Sequence, residues 1–467
     1  MPSLRLLFSA TWALVIVSLT LYLRQCAASE KQPLEEGGLL SQLKLQVVEK
    51  IIYTTELLNP PSIQPLSEQQ EQSTRHSEEK ARLLKRLNKT NGNYNSKHPR
   101  HRLLTALHGF YRYRQRSLDE LNRIKDLYGH APKAHKKLVE SVVGYENNIQ
   151  TTQKLIDKND KVAQAIVDHA LDFYGIEFTE LAKFAKEVEA GGKSAERVSV
   201  SQALKHFARD WAEDGEHERV ATFPQILETL QDKFPNRTDE NPVRILVPGA
   251  GVGRLAHDIA ELGGFEVTAN EWSSYMNLAY RYLTSNSSTT QLSTTIHPFI
   301  DWWSHQPSTS ELHREISFPD VPIDPLSVNL VEGDFTTAFQ RPEDTNSFDI
   351  IVTLFFIDTA RNLVSYLETI HRLLKTAPKS DPSGKSGLWL NVGPLLYGSA
   401  PYLQLTLDEI IRLSEALGFE FLETDPKWGD LTLPDRKVRG KEAPYGFNSK
   451  ALSKNAYWAQ FWAATKK

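Results

Sequence analysis

The chain has 467 residues, 40% of them hydrophobic and 24% charged, with nine Trp and a formal net charge of −4. That length exceeds one ordinary domain, so a main domain with an appendage is expected, and the mildly acidic balance excludes a general nucleic-acid binder, which would carry a basic face. A single cysteine, Cys26, excludes a disulfide framework and a cysteine-rich zinc site, and the 14 histidines show no His-Glu-x-x-His spacing, which argues against a metal enzyme.

At the N-terminus, "LLFSATWALVIVSLTLYL" (residues 6–23) is apolar and uncharged. Its length lies between a signal-peptide core and a membrane-spanning helix. Residues 1–28 therefore read as a signal anchor or a signal peptide, with small residues Ala27 and Ala28 where a peptidase cuts and the anchor favoured. Membrane anchoring through residues 6–23, or entry to the secretory pathway, is the expectation; Arg5, Arg24 and Lys31 flank both sides, so charge leaves the topology open. Sequons at Asn88, Asn236 and Asn286 are no more than chance supplies.

Residues 29–100 are polar and broken, a linker with a helix expected over Leu39–Leu58. Residues 101–240 turn helical: "RLLTALHGFYRYRQRSLDEL" carries apolar residues at three- and four-residue spacing. From 241 to 467 short apolar runs alternate with helical stretches. Strands are expected at 243–247 and 265–269, then in "VNLVEGDF", "FDIIVTLFF" and "SGLWLNV", with a closing strand in "AYWAQFWAAT"; helices are expected at 254–262, at 273–285 and in "ARNLVSYLETIHRLLKT". Such alternation predicts an α/β, Rossmann-like parallel sheet covered on both faces, preceded by an all-helical segment.

The turn after the first strand, "PGAGVGR", carries Gly249, Gly251 and Gly253. A dinucleotide fingerprint is G-x-G-x-x-G. Here the last glycine comes one residue early and Arg254 takes its place, which disfavours NAD and suits S-adenosyl-L-methionine, a cofactor with no pyrophosphate to seat. Glu271 follows the second strand, 22 residues after Gly249, where a carboxylate accepts from both ribose hydroxyls. Asp334 follows the third strand in "EGDF", placed to accept from the adenine amino group, with Phe335 against the adenine face. A tight turn, a turn aspartate and a core phenylalanine are the plain alternatives.

Together "LVPGAGVGRLA", "NEWS", "GDF", "FFIDTARN" and "NVGPLLY" resemble the carnosine N-methyltransferase family, from about Ala203 to the C-terminus. The resemblance implies a class I S-adenosylmethionine-dependent methyltransferase acting on an imidazole nitrogen of a small histidine-containing dipeptide such as carnosine, giving anserine. It implies that Arg209 in "FARDW" binds the cofactor carboxylate and that His206, where the family has glutamine, donates one hydrogen bond to the cofactor. Asp358 in "FFIDTARN" and Tyr457 in "AYWAQFW" are implied substrate residues. Asp358 accepting the N–H of a neutral imidazole would leave the opposite lone pair for the methyl group; its alternative is a helix N-cap. One departure stands out: after "GPLLY" the family has a substrate-pocket histidine, and this chain has Gly398, with His305 or His371 as spatial substitutes.

Two other functions fit less of the pattern: methylation of histidine in a peptide or protein, and a non-catalytic anchored module. Because S-adenosylmethionine is made in the cytosol, an anchored domain facing the cytosol reconciles the N-terminal segment with the cofactor. A homodimer is left open by the sequence.

Overall fold

The computed structural model describes residues 74–285, 289–377 and 386–467. The apolar segment 6–23, the cleavage region and the helix expected over Leu39–Leu58 lie outside the described residues. Among those described, no helix is long and apolar enough to cross a membrane.

Among the described residues, eight helices precede the sheet: α1 (Thr74–Leu87), α2 (Pro99–Tyr111), α3 (Tyr113–Gly129), α4 (Lys133–Val142), α5 (Tyr145–Tyr174), α6 (Phe178–Ala190), α7 (Val198–Trp211) and α8 (Glu216–Lys233). Helix α1 falls inside the stretch read as linker. Its sequence is polar, but Leu83 and Leu87 lie one turn apart and are buried, and Glu79 is paired with Arg82 and Arg86. In α5, Ile149, Ile156, Ala163, Ile166 and Ala170 form one buried stripe at helical spacing. Together with Phe110, Phe207 and Trp211 they build a core of their own, which also takes in Leu278 and Leu283.

The strands are β1 (Val243–Pro248), β2 (Phe265–Glu271), β3 (Thr294–Ile296), β4 (Ile316–Phe318), β5 (Val328–Glu332), β6 (Ile350–Leu354), β7 (Leu388–Gly393), β8 (Phe419–Phe421), β9 (Asp430–Leu431), β10 (Arg439–Pro444) and β11 (Ala456–Lys466). The main sheet runs β5-β2-β1-β6-β7-β11-β10-β9, with β8 also on β11. From β5 through β7 the pairing is parallel; β11 joins β7 antiparallel, with Phe461 opposite Val392. This is the expected Rossmann-like class I methyltransferase sheet, and the closing strand adds an antiparallel edge.

Side-chain alternation assigns the two faces. Ile245 and Val247 face one core with Ile226 and Leu230 of α8, and Leu246 faces the other. That second core is built from helices α12 (Phe335–Ala338), α13 (Leu363–Leu373) and α14 (Leu407–Ala416), with α9 (Arg254–Ala260), α10 (Ser274–Leu283) and α11 (Thr309–Leu312) lying elsewhere along the chain. The chain leaves β1 toward β2 and β5 on one side and returns to β6 and β7 on the other. The crevice between the carboxyl ends of β1 and β6 is therefore the topological switch point, where open α/β sheets bind ligands.

Candidate active site

The loop after β1 is set by its neighbours. Gly249, Gly251 and Gly253 all have positive φ, at 66°, 58° and 83°. A Cβ at Gly249 would run into the ring of Phe356 at 2.3 Å, and one at Gly253 into Tyr280 at 2.4 Å. At Gly251 the nearest atom would be Nδ1 of His206, 3.9 Å away. Two glycines are required by packing; the middle one leaves open space in front of its backbone.

Glu271 ends β2 and holds this loop: its carboxylate accepts from the amide of Gly251 at 2.9 Å and from that of Ser273 at 2.7 Å. Burial raises its pKa against the pull of those two amides. Each oxygen retains a second lone pair, so two hydroxyl donors still fit. Arg254, at the dinucleotide glycine's position, lies over Trp211 and pairs with Asp258 and Asp320 at 2.7 and 2.5 Å. It ties α9 to α7, which also docks through the Trp211 indole donating to the Val252 carbonyl at 2.7 Å. Full burial of an aromatic that size stabilises by roughly 1.5–3 kcal/mol.

Across the loop, α7 supplies Arg209, Asp210 and His206. Arg209, expected to bind the cofactor, is largely buried: it donates to Asp210 at 2.7 Å, lies over the rings of Tyr445 and Phe447 at 5.0 and 5.6 Å, and lines a cleft with Phe355 and Leu354. Burial opposes its charge, and the Asp210 carboxylate more than restores it. Burial and the nearby Arg209 lower the pKa of His206, so its imidazole is neutral. Its Nδ1 lies 3.1 Å from Asp210 Oδ2. A carboxylate only accepts, so Nδ1 carries the proton and Nε2 is left as an acceptor. The expected donor is thus spent on Asp210, and the free edge of His206 accepts.

Asp334 caps the four-residue helix α12: Oδ1 accepts from the Thr336 amide at 2.8 Å and its hydroxyl at 2.6 Å. Oδ2 has no partner among the described residues, and the side chain is exposed. Phe335 is not an open face. It is buried, edge-on to Phe339, Phe356 and Tyr366. The exposed aromatic at this end is Trp272, directly after Glu271.

Beyond β6, Phe355 takes φ 51°, a left-handed conformation costly for a side-chain-bearing residue. It stacks on Tyr445 at 5.1 Å and meets Tyr457 edge-on at 6.1 Å. Asp358 follows in a short 3-10 turn, Ile357–Thr359, and is not the cap of α13, whose N-cap is Asn362. Its Oδ2 accepts from the Leu396 amide at 2.9 Å. Burial pushes its pKa up to about 6, and that amide hydrogen bond pulls the other way. Tyr457 is half-buried; burial raises its pKa, with Tyr445 and the Asp358 charge adding to the effect.

Contacts link the site residues: Tyr445 and Phe447 meet Arg209, Phe355 meets Tyr445 and Tyr457, and Gly251, held by Glu271, faces His206. Phe355, Tyr445 and Phe447 were missed in the sequence. The loop carrying Phe447 is pinned from α8, where Glu218 accepts from the amides of Gly446 and Phe447, both at 2.8 Å. A Cβ at Gly398 would meet nothing within 4 Å. Neither proposed histidine is shown to replace the missing one: His371 packs on Phe419 and Gly418 at the amino edge of the sheet, and His305 is exposed, its carbonyl accepting from Leu452.

The pattern defining the Carnosine N-methyltransferase family matches residues 187–467. Carnosine N-methyltransferase of Schizosaccharomyces pombe is 29% identical over 343 residues, 69% of this chain and 87% of that protein. The Mus musculus enzyme of that name is 31% identical over 323 residues, 66% of this chain and 76% of its own length. A Haemonchus contortus phosphoethanolamine N-methyltransferase 2 structure aligns at 15% identity and TM-score 0.33 over 57% of each chain. The chain belongs to the carnosine N-methyltransferase family and is an S-adenosylmethionine-dependent N-methyltransferase.

Proposed function

We propose that the acceptor is an imidazole ring nitrogen of a histidine-containing dipeptide of the carnosine type, methylated by S-adenosylmethionine in the cleft between the glycine loop and the Phe355–Asp358 segment. The observation that carries this reading is Asp358: a buried carboxylate at a strand end, held on one side by a backbone amide and with acceptor capacity to spare.

The site residues divide into two halves. For the donor, Arg209 pairs with its carboxylate, His206 Nε2 accepts from its amino group, Glu271 takes the ribose hydroxyls and Asp334 Oδ2 the adenine amino group. Gly251 lets the backbone come close. The residues fit such a ligand: α7 supplies a cation and a neutral acceptor, and the ends of β1, β2 and β5 supply an open glycine and two carboxylates with free lone pairs. Bound there, the donor supplies an electrophilic methyl group on a sulfonium.

For the acceptor, Asp358 takes the imidazole N–H, fixes the tautomer and turns the opposite lone pair toward the donor half. Phe355, Tyr445, Phe447 and Tyr457 exclude water and present ring faces that tolerate positive charge as it passes to the imidazole. Arg361 lies over Tyr402 with no ion pair among the described residues; it is the cation this reading assigns to the dipeptide carboxylate. Residues 241–467 form the methyltransferase domain in this reading, and 101–240 its helical cover. Assays with carnosine, free histidine and a histidine-containing peptide, the methyl located by NMR, test the proposal. Carnosine is expected to be methylated on the ring at the highest kcat/KM; preference for the peptide would refute the dipeptide assignment.

A further inference from the structure

We infer that Arg102, on helix α2 of the N-terminal helical region, belongs to the methyl-donor site and binds its adenosine half. This rests on the donor reading above. Arg102 lies upstream of the residues matched by the family pattern, 187–467.

The ends of β2 and β5 lie side by side, Glu271 opposite Glu332, and the Gly333 amide donates to the Glu271 carbonyl at 2.9 Å. Trp272 leaves one strand end and Asp334 the other. The guanidinium of Arg102 lies 5.0 Å from the centre of the Trp272 ring, and Asp334 is the charge that acts on it. Its side chain makes no hydrogen bond or ion pair among the described residues, and its Nε is buried without a partner. Other arginines of the helical region are satisfied: Arg100 by Glu180, Arg112 by Glu189, Arg116 by Asp119 and the Ala195 carbonyl.

A guanidinium taken partly out of water and left unpaired is costly, so a buried polar group of this kind needs an explanation. A ligand that brings acceptors provides one. Between Glu271 and Asp334 the donor reading seats the ribose and adenine, whose hydroxyl oxygens and ring nitrogens accept hydrogen bonds. The Trp272 ring lies within cation–π range of the guanidinium, and Trp272 is 56% exposed, so the Arg–Trp pair stands at the solvent side of the Glu271 and Asp334 strand ends.

The test is calorimetric binding to the full-length chain of S-adenosylmethionine, S-adenosylhomocysteine and 5′-methylthioadenosine, the last of which lacks the amino-acid end. Arg102→Ala is expected to weaken all three about equally, by roughly tenfold or more, whereas Arg209→Met weakens only the first two. Trp272→Ala, at an exposed position, is expected to reproduce the Arg102→Ala pattern more mildly. Melting of the unliganded variants checks that each is folded. Wild-type affinity for all three ligands in folded Arg102→Ala and Trp272→Ala would overturn the role of Arg102 while leaving the donor site standing. A wild-type chain that binds none of the three would overturn the donor reading and Arg102 with it.

Discussion

The carboxylate of Asp358 accepts the amide of Leu396, 38 residues further on, at 2.9 Å. That bond joins the turn after β6 to the loop after β7, the same loop that carries Gly398. It leaves a buried carboxylate whose pKa is raised to about 6, with desolvation the main cause. Such a group stabilises the folded chain most when protonated. Its folded pKa lies above the unfolded one, so its contribution is present below the unfolded value and is lost as pH rises through about 6.

Asp358→Asn therefore trades function for stability. At pH 8 it is expected to raise unfolding free energy by roughly 1–3 kcal/mol, since one pKa unit is about 1.4 kcal/mol, and to lower kcat/KM by about 10²–10³. Denaturation at pH 8 and at pH 5 measures the first; the gain should shrink at the lower pH. In the wild type, transfer falls as pH drops through about 6.

The three glycines separate by what surrounds them. Gly253→Ala meets the Tyr280 ring and should destabilise by the cost of the left-handed backbone, about 1–2 kcal/mol, plus about 1–3 kcal/mol of overpacking. Gly251→Ala meets only an ordinary contact with His206, so it should cost the backbone term alone and yet weaken donor binding more. Urea unfolding beside donor titration distinguishes the two variants.

His206 is held neutral and its Nδ1 proton is committed to Asp210. Donor affinity should therefore show no titration from this residue between about pH 7 and 8. His206→Gln keeps an acceptor and should bind donor within a few-fold of wild type. His206→Leu should lose about 1 kcal/mol, the net worth of a neutral hydrogen bond. Calorimetry over that pH range reads both.

Gly398→His enters free space at a position without positive φ, so melting should be unchanged. If the family histidine assists the imidazole, the variant gains kcat on carnosine by several-fold; steady-state kinetics of wild type and variant check it.

Much of this was readable in the sequence. The run 243–247, the glycine turn and the helix at 254 are local patterns, and β1, the loop and α9 follow them. Glu271, Asp334 and Asp358 were legible as candidates because each lies at or within a few residues of the end of an apolar strand, and strand ends point to the crevice. The aromatic side was not. Tyr445 and Phe447 lie in loop sequence between β10 and β11, and the contacts that place them are long-range: Glu218, on α8, holds the amides of Gly446 and Phe447, and the Asn455 carbonyl that of Tyr445. The left-handed backbone of Phe355 comes from tertiary packing against Gly393, where a Cβ would fall 3.0 Å from it. The proton on His206 depended on Asp210, one helical turn away, and its depressed pKa on burial that periodicity does not report.

The most direct test separates donor binding from transfer in a single variant. Asp358→Ala should bind S-adenosylmethionine with wild-type affinity by calorimetry and, with carnosine present, release product at least about 100-fold more slowly. Equal loss of binding and transfer, or transfer at the wild-type rate, would contradict the assignment of Asp358 to the imidazole.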